Sequence, residues 1–122
     1  MLKLKRKIEV DKLVYDCDIY VGTKVIKCKG FLDTGNRVFC SNMPVIMCSK
    51  EISKKISLEQ NHRVTYALKL TTVAGETTVN VIENVEVLIY FSKEKHIHKK
   101  VGLGLTDRCF LSEVILHPSL FD

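Results

Sequence analysis

The sequence Phe31-Leu32-Asp33-Thr34-Gly35-Asn36 places an Asp-Thr-Gly triplet directly after an apolar strand end. Residues 14 to 32, which lead into it, alternate between apolar and polar side chains around Gly22-Thr23-Lys24, and this period of two predicts a β-hairpin. A carboxylate at the mouth of a buried strand is partly desolvated, and a following Gly lets another backbone approach closely. Asp33 is therefore a candidate catalytic carboxylate; the plain alternative is an Asp that only caps a turn.

Carboxylate chemistry on a peptide bond needs two such groups face to face. They share one proton, because two like charges at that distance cannot both ionise. The ionised carboxylate activates a water as general base, and the protonated one polarises the scissile carbonyl. The chain has one Asp-Thr-Gly triplet, and Asp107 in Thr106-Asp107-Arg108 is not a second copy. An aspartic peptidase built from this chain must therefore be a symmetric homodimer in which each chain supplies one Asp33.

The remaining chain also has the pattern of short strands. Val45-Ile46-Met47-Cys48 is apolar throughout and predicts a buried strand, and the residues after it, with Ile52 and Ile56 on one face, predict a short helix. Alternation predicts a second hairpin over residues 64 to 81 with a small tip at Gly75. Three further elements are predicted: a strand over 85–89, a glycine-containing strand over 101–105 and a short helix over 110–117 that Pro118 ends. Together these elements predict a mostly β, barrel-like or sandwich domain with one or two short helices.

A length of 122 residues suits one domain with one ordinary core. We expect a basic N-terminal segment, residues 1–12, followed by the domain proper, residues 13–122. The cluster from Lys3 to Lys7 suits either a solvated tail or a stretch just inside a membrane span. The net charge of +5 is otherwise scattered and is not interleaved with aromatic residues, so nucleic acid is not an expected partner. No apolar run is long enough to span a bilayer, so this chain is expected to be soluble.

The cysteines favour a reducing compartment. They are five in number and include no Cys-x-x-Cys pair, which argues against a disulfide framework and a zinc ribbon. We expect most of them to be free and to pack as small apolar side chains. A Cys nucleophile is not expected, because Cys40 and Cys48 have no obvious His partner.

Two paired motifs are candidate ligand sites. His96 and His98 share one strand face, but a third ligand is missing and the neighbouring lysines repel a cation, so exposed histidines are expected and no metal or cofactor. Asp16 and Asp18 also share a strand face, for which a solvated sheet edge is the expected setting.

A likeness to known proteins adds to these inferences. Asp33-Thr34-Gly35 after hydrophobic residues resembles the retropepsin-like aspartic peptidases of retroviral type. Retropepsins usually have Ala or Ser next, whereas this chain has Asn36. Leu32-Asp33-Thr34-Gly35-Asn36, Pro44-Val45-Ile46 and Leu116-His117-Pro118 together resemble the sporulation sigma-E factor-processing peptidases. The likeness covers roughly residues 13 to 121 and implies a retropepsin-like β-barrel.

The resemblance implies a function and a setting. Members of that family are membrane proteins in which several N-terminal spans precede a cytoplasmic peptidase domain. They remove the N-terminal pro-sequence of an RNA polymerase sigma factor in the mother cell of a sporulating bacterium, and a partner secreted by the forespore triggers them. For this chain it implies a pro-sigma factor substrate, a second copy of itself and a forespore-secreted activator acting through membrane spans. The implied location is the cytoplasmic face of the membrane, on the mother-cell side of the septum.

The resemblance also implies roles for individual residues. Asp33 would be the catalytic aspartate. Thr34 would hold the two catalytic loops together across the dimer axis, Gly35 would permit that crossing and Asn36 would support the same loop. Thr71-Thr72-Val73-Ala74-Gly75 occupies the position of the flap that closes over substrate.

Two other functions remain open from the sequence. One is a non-catalytic β-barrel module that binds a protein partner and keeps the loop only as scaffold. The other is a peptidase that acts on a different substrate, such as a polyprotein or another regulatory protein. The first differs from the peptidase hypothesis in that removing the charge of Asp33 would leave function intact.

Overall fold

The computed structural model describes residues 13–60, 66–72 and 75–122. These residues form eight strands, one α-helix and one short 3₁₀ helix. The strands are β1 (Val14–Val21), β2 (Lys24–Leu32), β3 (Phe39–Cys40), β4 (Met43–Cys48), β5 (Tyr66–Thr72), β6 (Gly75–Tyr90), β7 (His96–Leu105) and β8 (Val114–Leu116). The helix α1 spans Lys50–Gln60, and the 3₁₀ helix spans Pro118–Phe121.

Six of these strands close into a barrel. They are hydrogen-bonded in the order β1-β2-β8-β4-β7-β6, and β6 pairs back onto β1 in an antiparallel register that joins Asp16 to Tyr90. Two of the pairs are parallel, β2 with β8 and β4 with β7. The other two strands lie outside the ring, because β5 extends β6 as a hairpin and β3 pairs with β4. Closure of the ring protects most strand edges.

The barrel interior holds the main hydrophobic core. The buried rings of Tyr15 and Phe121 pack with their centroids 5.1 Å apart. Helix α1 packs onto the same core through Ile52 and Ile56, which are fully buried. Burying each isoleucine contributes about 2 kcal/mol. Short helices are marginal alone, so this contact is what stabilises α1. Among the described residues, no helix has the length and apolarity needed to cross a membrane.

The predicted fold class is confirmed, and of the two architectures considered the chain adopts the barrel. The hairpin predicted over residues 14 to 32 forms as β1 and β2, with Gly22 in its turn at a φ of 58°. The buried strand and the helix that follows it form as β4 and α1. The second predicted hairpin forms as β5 and β6; residues 64, 65, 73 and 74 lie outside the described part of the chain.

The helix predicted over residues 110–117 is wrong. Residues 114–116 form β8, which pairs in parallel with Gly30–Leu32 of β2. Pro118 does not end a helix but begins the 3₁₀ helix, where a residue without an N–H costs nothing. His117 caps that helix, because its Nδ1 accepts a hydrogen bond of 3.1 Å from the N–H of Ser119. Pairing of this segment with neighbouring strands stabilises it more than its local helical pattern would.

Residues 85–89 are not a separate strand, contrary to the prediction. They form the second half of β6, which pairs with β7 on both sides of a register shift between Ile82 and Val85. Asn84, inside the shift, has a φ of 59°. Such an irregularity lets one strand bend. As a result, the first half of β6 belongs to the β5–β6 hairpin and the second half closes the barrel against β1.

Candidate active site

Asp33 follows the last residue of β2 and lies half-buried in the wall of a cleft. Leu32 before it is buried, and its N–H donates to the carbonyl oxygen of Leu13 at 2.7 Å, which fixes the strand end. The chain then turns sharply, because the N–H of Asn36 donates to the carbonyl oxygen of Asp33 at 3.0 Å. The N–H of Gly35 donates to Asp33 Oδ1 at 2.9 Å and so orients the carboxylate.

The two carboxylate oxygens of Asp33 therefore have different surroundings. Oδ1 is held by the turn, whereas no described residue donates a hydrogen bond to Oδ2. The Oδ1 contact is the one that a turn-capping Asp makes, and Asp33 does cap its own turn. A turn cap does not need a cleft beside its second oxygen. Because Oδ2 has no partner among the described residues, it is available to a water or a substrate.

Asn36 ties this turn to the barrel from the inside. Its side chain is only 7% exposed. Nδ2 donates to the carbonyl oxygens of Val45 at 3.0 Å and Leu116 at 3.4 Å, and Oδ1 accepts from the N–H of Val38 at 3.2 Å. A buried amide with both its oxygen and its nitrogen bonded is rigid, because any movement would leave polar atoms unsatisfied. The turn that carries Asp33 is thereby anchored to β4 and β8.

Thr34 and Gly35 form the exposed tip of the turn. A Cβ at position 35 would lie 3.2 Å from Asp33 Oδ1, which is tighter than an ordinary contact, so Gly protects the position of the carboxylate. The Thr34 hydroxyl has no hydrogen-bond partner in the described ranges 13–60, 66–72 and 75–122. Its exposure leaves it free to meet a group outside this chain.

The cleft beside Asp33 has a volume of about 320 Å³. Its walls are mainly apolar, which suits the hydrophobic side chains of a bound peptide. Among the described residues that line it, Asp33 is the one carboxylate and Arg108 the one cation. The lining consists of Asp33, Asn36, Met47, Leu70, Thr77, Val79, Thr106, Arg108, Phe110 and Ile115.

The segment predicted as a flap lies at the end of the β5–β6 hairpin. Thr71 pairs with Glu76 and Thr72 pairs with Gly75, whose φ of 110° is one that Gly adopts without strain. Val73-Ala74, which the prediction also assigned to the flap, lies outside the described residues. The structure therefore gives a hairpin where the flap was expected, with its tip left undescribed.

The stem of this hairpin, rather than the predicted flap residues, shares the cleft with the carboxylate. Leu70 of β5 and Thr77 of β6 line the same cavity as Asp33, whereas Thr71 and Gly75 are not among its lining residues as described. Leu70 and Thr77 face each other in the antiparallel register.

Strand β7 passes close beneath the cleft because it carries glycines. A Cβ on Gly104 would lie 2.8 Å from Val79 Cγ1 and 3.0 Å from Met47 Sδ, and both of these residues line the cleft. Gly102, in the strand predicted over 101–105, pairs with Val45, whose carbonyl oxygen holds Asn36. The glycines therefore set the depth of the cleft floor.

Sequence reasoning missed Arg108 as a cleft residue. Its carbonyl oxygen accepts a hydrogen bond of 2.7 Å from the N–H of Lys50 at the start of α1, and its own N–H donates to Thr106 Oγ1 at 3.2 Å. The neighbouring Asp107 is exposed and does not line the cleft. No periodic pattern marks Arg108, because its position depends on the docking of α1 against β7.

The other paired motifs have local partners. His98 Nε2 lies 3.0 Å from Glu86 Oε1, and the ring of His96 packs against that of Tyr90. In the portion of the chain that the structure describes, no three His, Cys, Asp or Glu side chains cluster as metal ligands.

The solvated-edge interpretation is wrong for Asp18. Strand β1 lies between β2 and β6, so it is not an edge, and Asp18 is only 6% exposed. Its carboxylate accepts hydrogen bonds from Tyr90 Oη at 2.7 Å and from Lys27 Nζ at 3.3 Å. Asp16 is exposed and pairs with Lys29.

All five cysteines are free thiols, and four of them are buried. Burial raises the pKa of Cys17 to about 12, and it also raises the pKa of Cys28 and Cys48. A thiol with a raised pKa is a poor nucleophile, so these three act as apolar core residues. Cys109 is the exposed one.

Comparison with known proteins gives a family match over nearly the whole chain. The family model of peptidase U4, described as sporulation factor SpoIIGA, matches residues 1–120. Among curated proteins, none matches the sequence. The solution structure of the simian foamy virus (mac) protease is similar at 16% identity over 87% of this chain and 88% of that chain, with a TM-score of 0.47. Because the family model spans the Asp33 turn and both walls of the cleft, the chain belongs to the sporulation factor SpoIIGA family of peptidases.

Proposed function

We propose that the protein is an aspartic endopeptidase that, as a homodimer, removes the N-terminal pro-sequence of a sporulation RNA polymerase sigma factor. The observation that carries this proposal is the setting of Asp33, whose carboxylate is held at Oδ1 by the N–H of Gly35 and is unbonded at Oδ2 beside an apolar cleft. Membership of a peptidase family that is described as a sporulation factor supports both the reaction and its setting.

The proposal of a homodimer rests on the single carboxylate. Asp33 is the only acidic side chain among the described residues that line the cleft, and the chemistry needs two carboxylates that share a proton. Thr34 and Gly35 are exposed at the tip of the turn, where a two-fold axis would bring the same turn of a second chain against them. The unpartnered Thr34 hydroxyl would then find its hydrogen bond across that axis.

In this mechanism the two Asp33 carboxylates hold one water between their Oδ2 atoms. The ionised one takes a proton from the water as it attacks the scissile carbonyl, and the protonated one donates a hydrogen bond to the carbonyl oxygen. The tetrahedral intermediate collapses when the leaving nitrogen receives a proton from the dyad. Asn36 keeps each carboxylate in place during these steps through its bonds to Val45 and Leu116.

The cleft suggests how the substrate is held. Apolar side chains next to the scissile bond would contact Met47, Val79 and Ile115, while the hairpin rooted at Leu70 and Thr77 would close over the peptide. We further propose that the enzyme works at the cytoplasmic face of the mother-cell membrane and that a forespore-secreted partner activates it through membrane spans. The support for this location is the family match and the basic cluster from Lys3 to Lys7.

Mixing the parent with Asp33→Asn tests the shared active site. If each site needs two carboxylates, an equimolar mixture that exchanges subunits leaves about a quarter of the dimers with two parental chains. Its rate of cleavage of a pro-sigma substrate should then be about a quarter of that of parent at the same total concentration. A rate of one half would show that each chain works alone and would contradict the dimeric mechanism. Pre-incubation at a concentration low enough for dimers to dissociate ensures exchange.

A further inference from the structure

A second groove, of about 610 Å³, runs between α1, Asn80 in the first half of β6 and the end of β7. Thr106 lies in the wall of this groove and also in the wall of the cleft that holds Asp33. Thr106 is therefore common to the walls of both cavities, and a peptide that leaves the cleft past Thr106 would reach the groove.

The polar side chains around this largely apolar groove include two ammonium groups. Lys50 and Lys54 lie one helical turn apart on α1, and the Ser57 hydroxyl and the Asn80 amide line the same space. None of these four side chains has a hydrogen-bond or ion-pair partner within the described part of the chain. Asp107 is the one carboxylate among the described lining residues, and it is exposed.

The junction between the groove and the cleft is rigid. Ser53 Oγ donates to the carbonyl oxygen of Cys48 at 3.2 Å and accepts from the N–H of Thr106 at 3.0 Å. Thr106 Oγ1 donates to the same carbonyl oxygen at 2.7 Å, and the N–H of Lys50 donates to the carbonyl oxygen of Arg108. Helix α1 and the loop that follows β7 thus hold a fixed relative position, so the backbone that carries the two lysines is fixed relative to the cleft wall.

We infer that this groove binds acidic side chains of the substrate, in the extended segment next to the cleaved bond. The inference rests on the proposed peptidase function and adds a specificity to it. Carboxylates of such a segment would meet Lys50 and Lys54, whose ammonium groups are exposed and unpaired, and would accept hydrogen bonds from Ser57 and Asn80. The attraction is between solvent-exposed charges, so it must weaken as salt rises.

Peptide binding to an Asp33→Asn background tests the groove without any cleavage. The probe is a fluorescein-labelled peptide of sequence Ala-Val-Leu-Ala-Gly-Glu-Ser-Glu-Glu, compared by anisotropy with its counterpart in which Gln replaces every Glu. We expect the acidic peptide to bind about tenfold tighter at low salt, since each exposed ion pair contributes modestly. The double variant Lys50→Glu/Lys54→Glu should remove that preference, and Lys50→Gln/Lys54→Gln should remove most of it.

Lys55→Glu is the matched control, because Lys55 is exposed on the same helix but does not line the groove. It should keep most of the preference for the acidic peptide. The single variant Lys54→Glu, one position away, should lose clearly more of it. Equal affinity of the parent for the two peptides, or an equal loss in Lys55→Glu and Lys54→Glu, would overturn the inference. The readout is binding and not cleavage, so the two hypotheses are tested separately. The preference for the acidic peptide can be present even if Asp33 is not catalytic, and cleavage that depends on Asp33 can be present even if the groove shows no such preference.

Discussion

The side-chain amide of Asn36 donates a hydrogen bond of 3.0 Å to the carbonyl oxygen of Val45. Val45 is fully buried in a smaller hydrophobic cluster beside the main core and pairs in parallel with Gly102. The turn that carries Asp33 is therefore fastened to the core rather than suspended in solvent, although the residues at its tip are exposed. A catalytic group gains from such support, because its position must hold within a fraction of an ångström.

Replacing Asn36 with Ala should loosen this turn. The change leaves the carbonyl oxygen of Val45 buried without its donor, so the free energy of unfolding should fall by about 1–3 kcal/mol. Urea denaturation measures this loss. The rate of cleavage should fall further than the folded fraction explains, because Asp33 loses its support. Arg37→Ala is the control, since Arg37 is exposed, and it should change neither quantity; an equally stable and active Asn36→Ala would contradict the anchoring role.

Replacing Gly104 with Ala should overpack the floor of the cleft. The new Cβ would lie 2.8 Å from Val79 Cγ1, and such crowding costs about 1–3 kcal/mol. In the double variant Gly104→Ala/Val79→Ala, the shorter side chain at position 79 should relieve part of the crowding. The loss of unfolding free energy in the double variant should therefore be smaller than the sum of the losses in the two single variants, as measured by thermal or urea unfolding. Additive losses would show that β7 does not need the close approach we describe.

Thiol reactivity should distinguish Cys109 from the other cysteines. In the native protein at pH 8, we expect one fast reaction with an aromatic disulfide reagent, since Cys109 is exposed and burial raises the pKa of Cys17 to about 12. Cys109→Ser should abolish the fast phase, and denaturant should release the remaining thiols. Fast labelling of Cys28 or Cys48 in the folded chain would contradict the packing of the barrel core.

His117 should make the fold less stable in mild acid. Burial lowers the pKa of this side chain below its ordinary value of 6.5. Between that value and the lower pKa of the folded state, the unfolded chain binds a proton at His117 and the folded chain does not. Its contribution is complete above pH 6.5 and is lost as the pH falls towards the folded pKa, by up to about 1.4 kcal/mol per pH unit. His117→Asn keeps an acceptor for the N–H of Ser119 and should flatten the pH dependence of unfolding. An unchanged slope in His117→Asn would refute this assignment.

Much of the barrel could be predicted because the alternation of apolar and polar residues that indicates a strand lies within the strand itself. The alternation over residues 14 to 32 depends on neighbours only two positions apart, and the Gly22 turn joins strands that follow each other in sequence. Asp33 stood out for the same reason, as a carboxylate at a strand end. Local patterns of this kind do not require knowledge of the fold.

The rest depended on contacts between distant parts of the chain. The three residues of β8 carry too little pattern to reveal a strand, and their partner Gly30–Leu32 lies more than eighty residues earlier. Asp18 was misjudged because only barrel closure shows that β1 has neighbours on both sides. Arg108 lines the cleft in a loop that is bonded to the start of α1, more than fifty residues earlier, so its neighbours in sequence do not reveal this position.

The rate at which Asp33→Asn cleaves a pro-sigma substrate tests the central claim most directly. Asn retains an oxygen that can accept the hydrogen bond from the N–H of Gly35, so the turn and the unfolding free energy should be preserved while the acid–base group is lost. We predict that cleavage falls at least a thousandfold, on the order of the effect of removing an essential general acid–base group. A folded Asp33→Asn protein that cleaves the substrate at the parental rate would contradict the account.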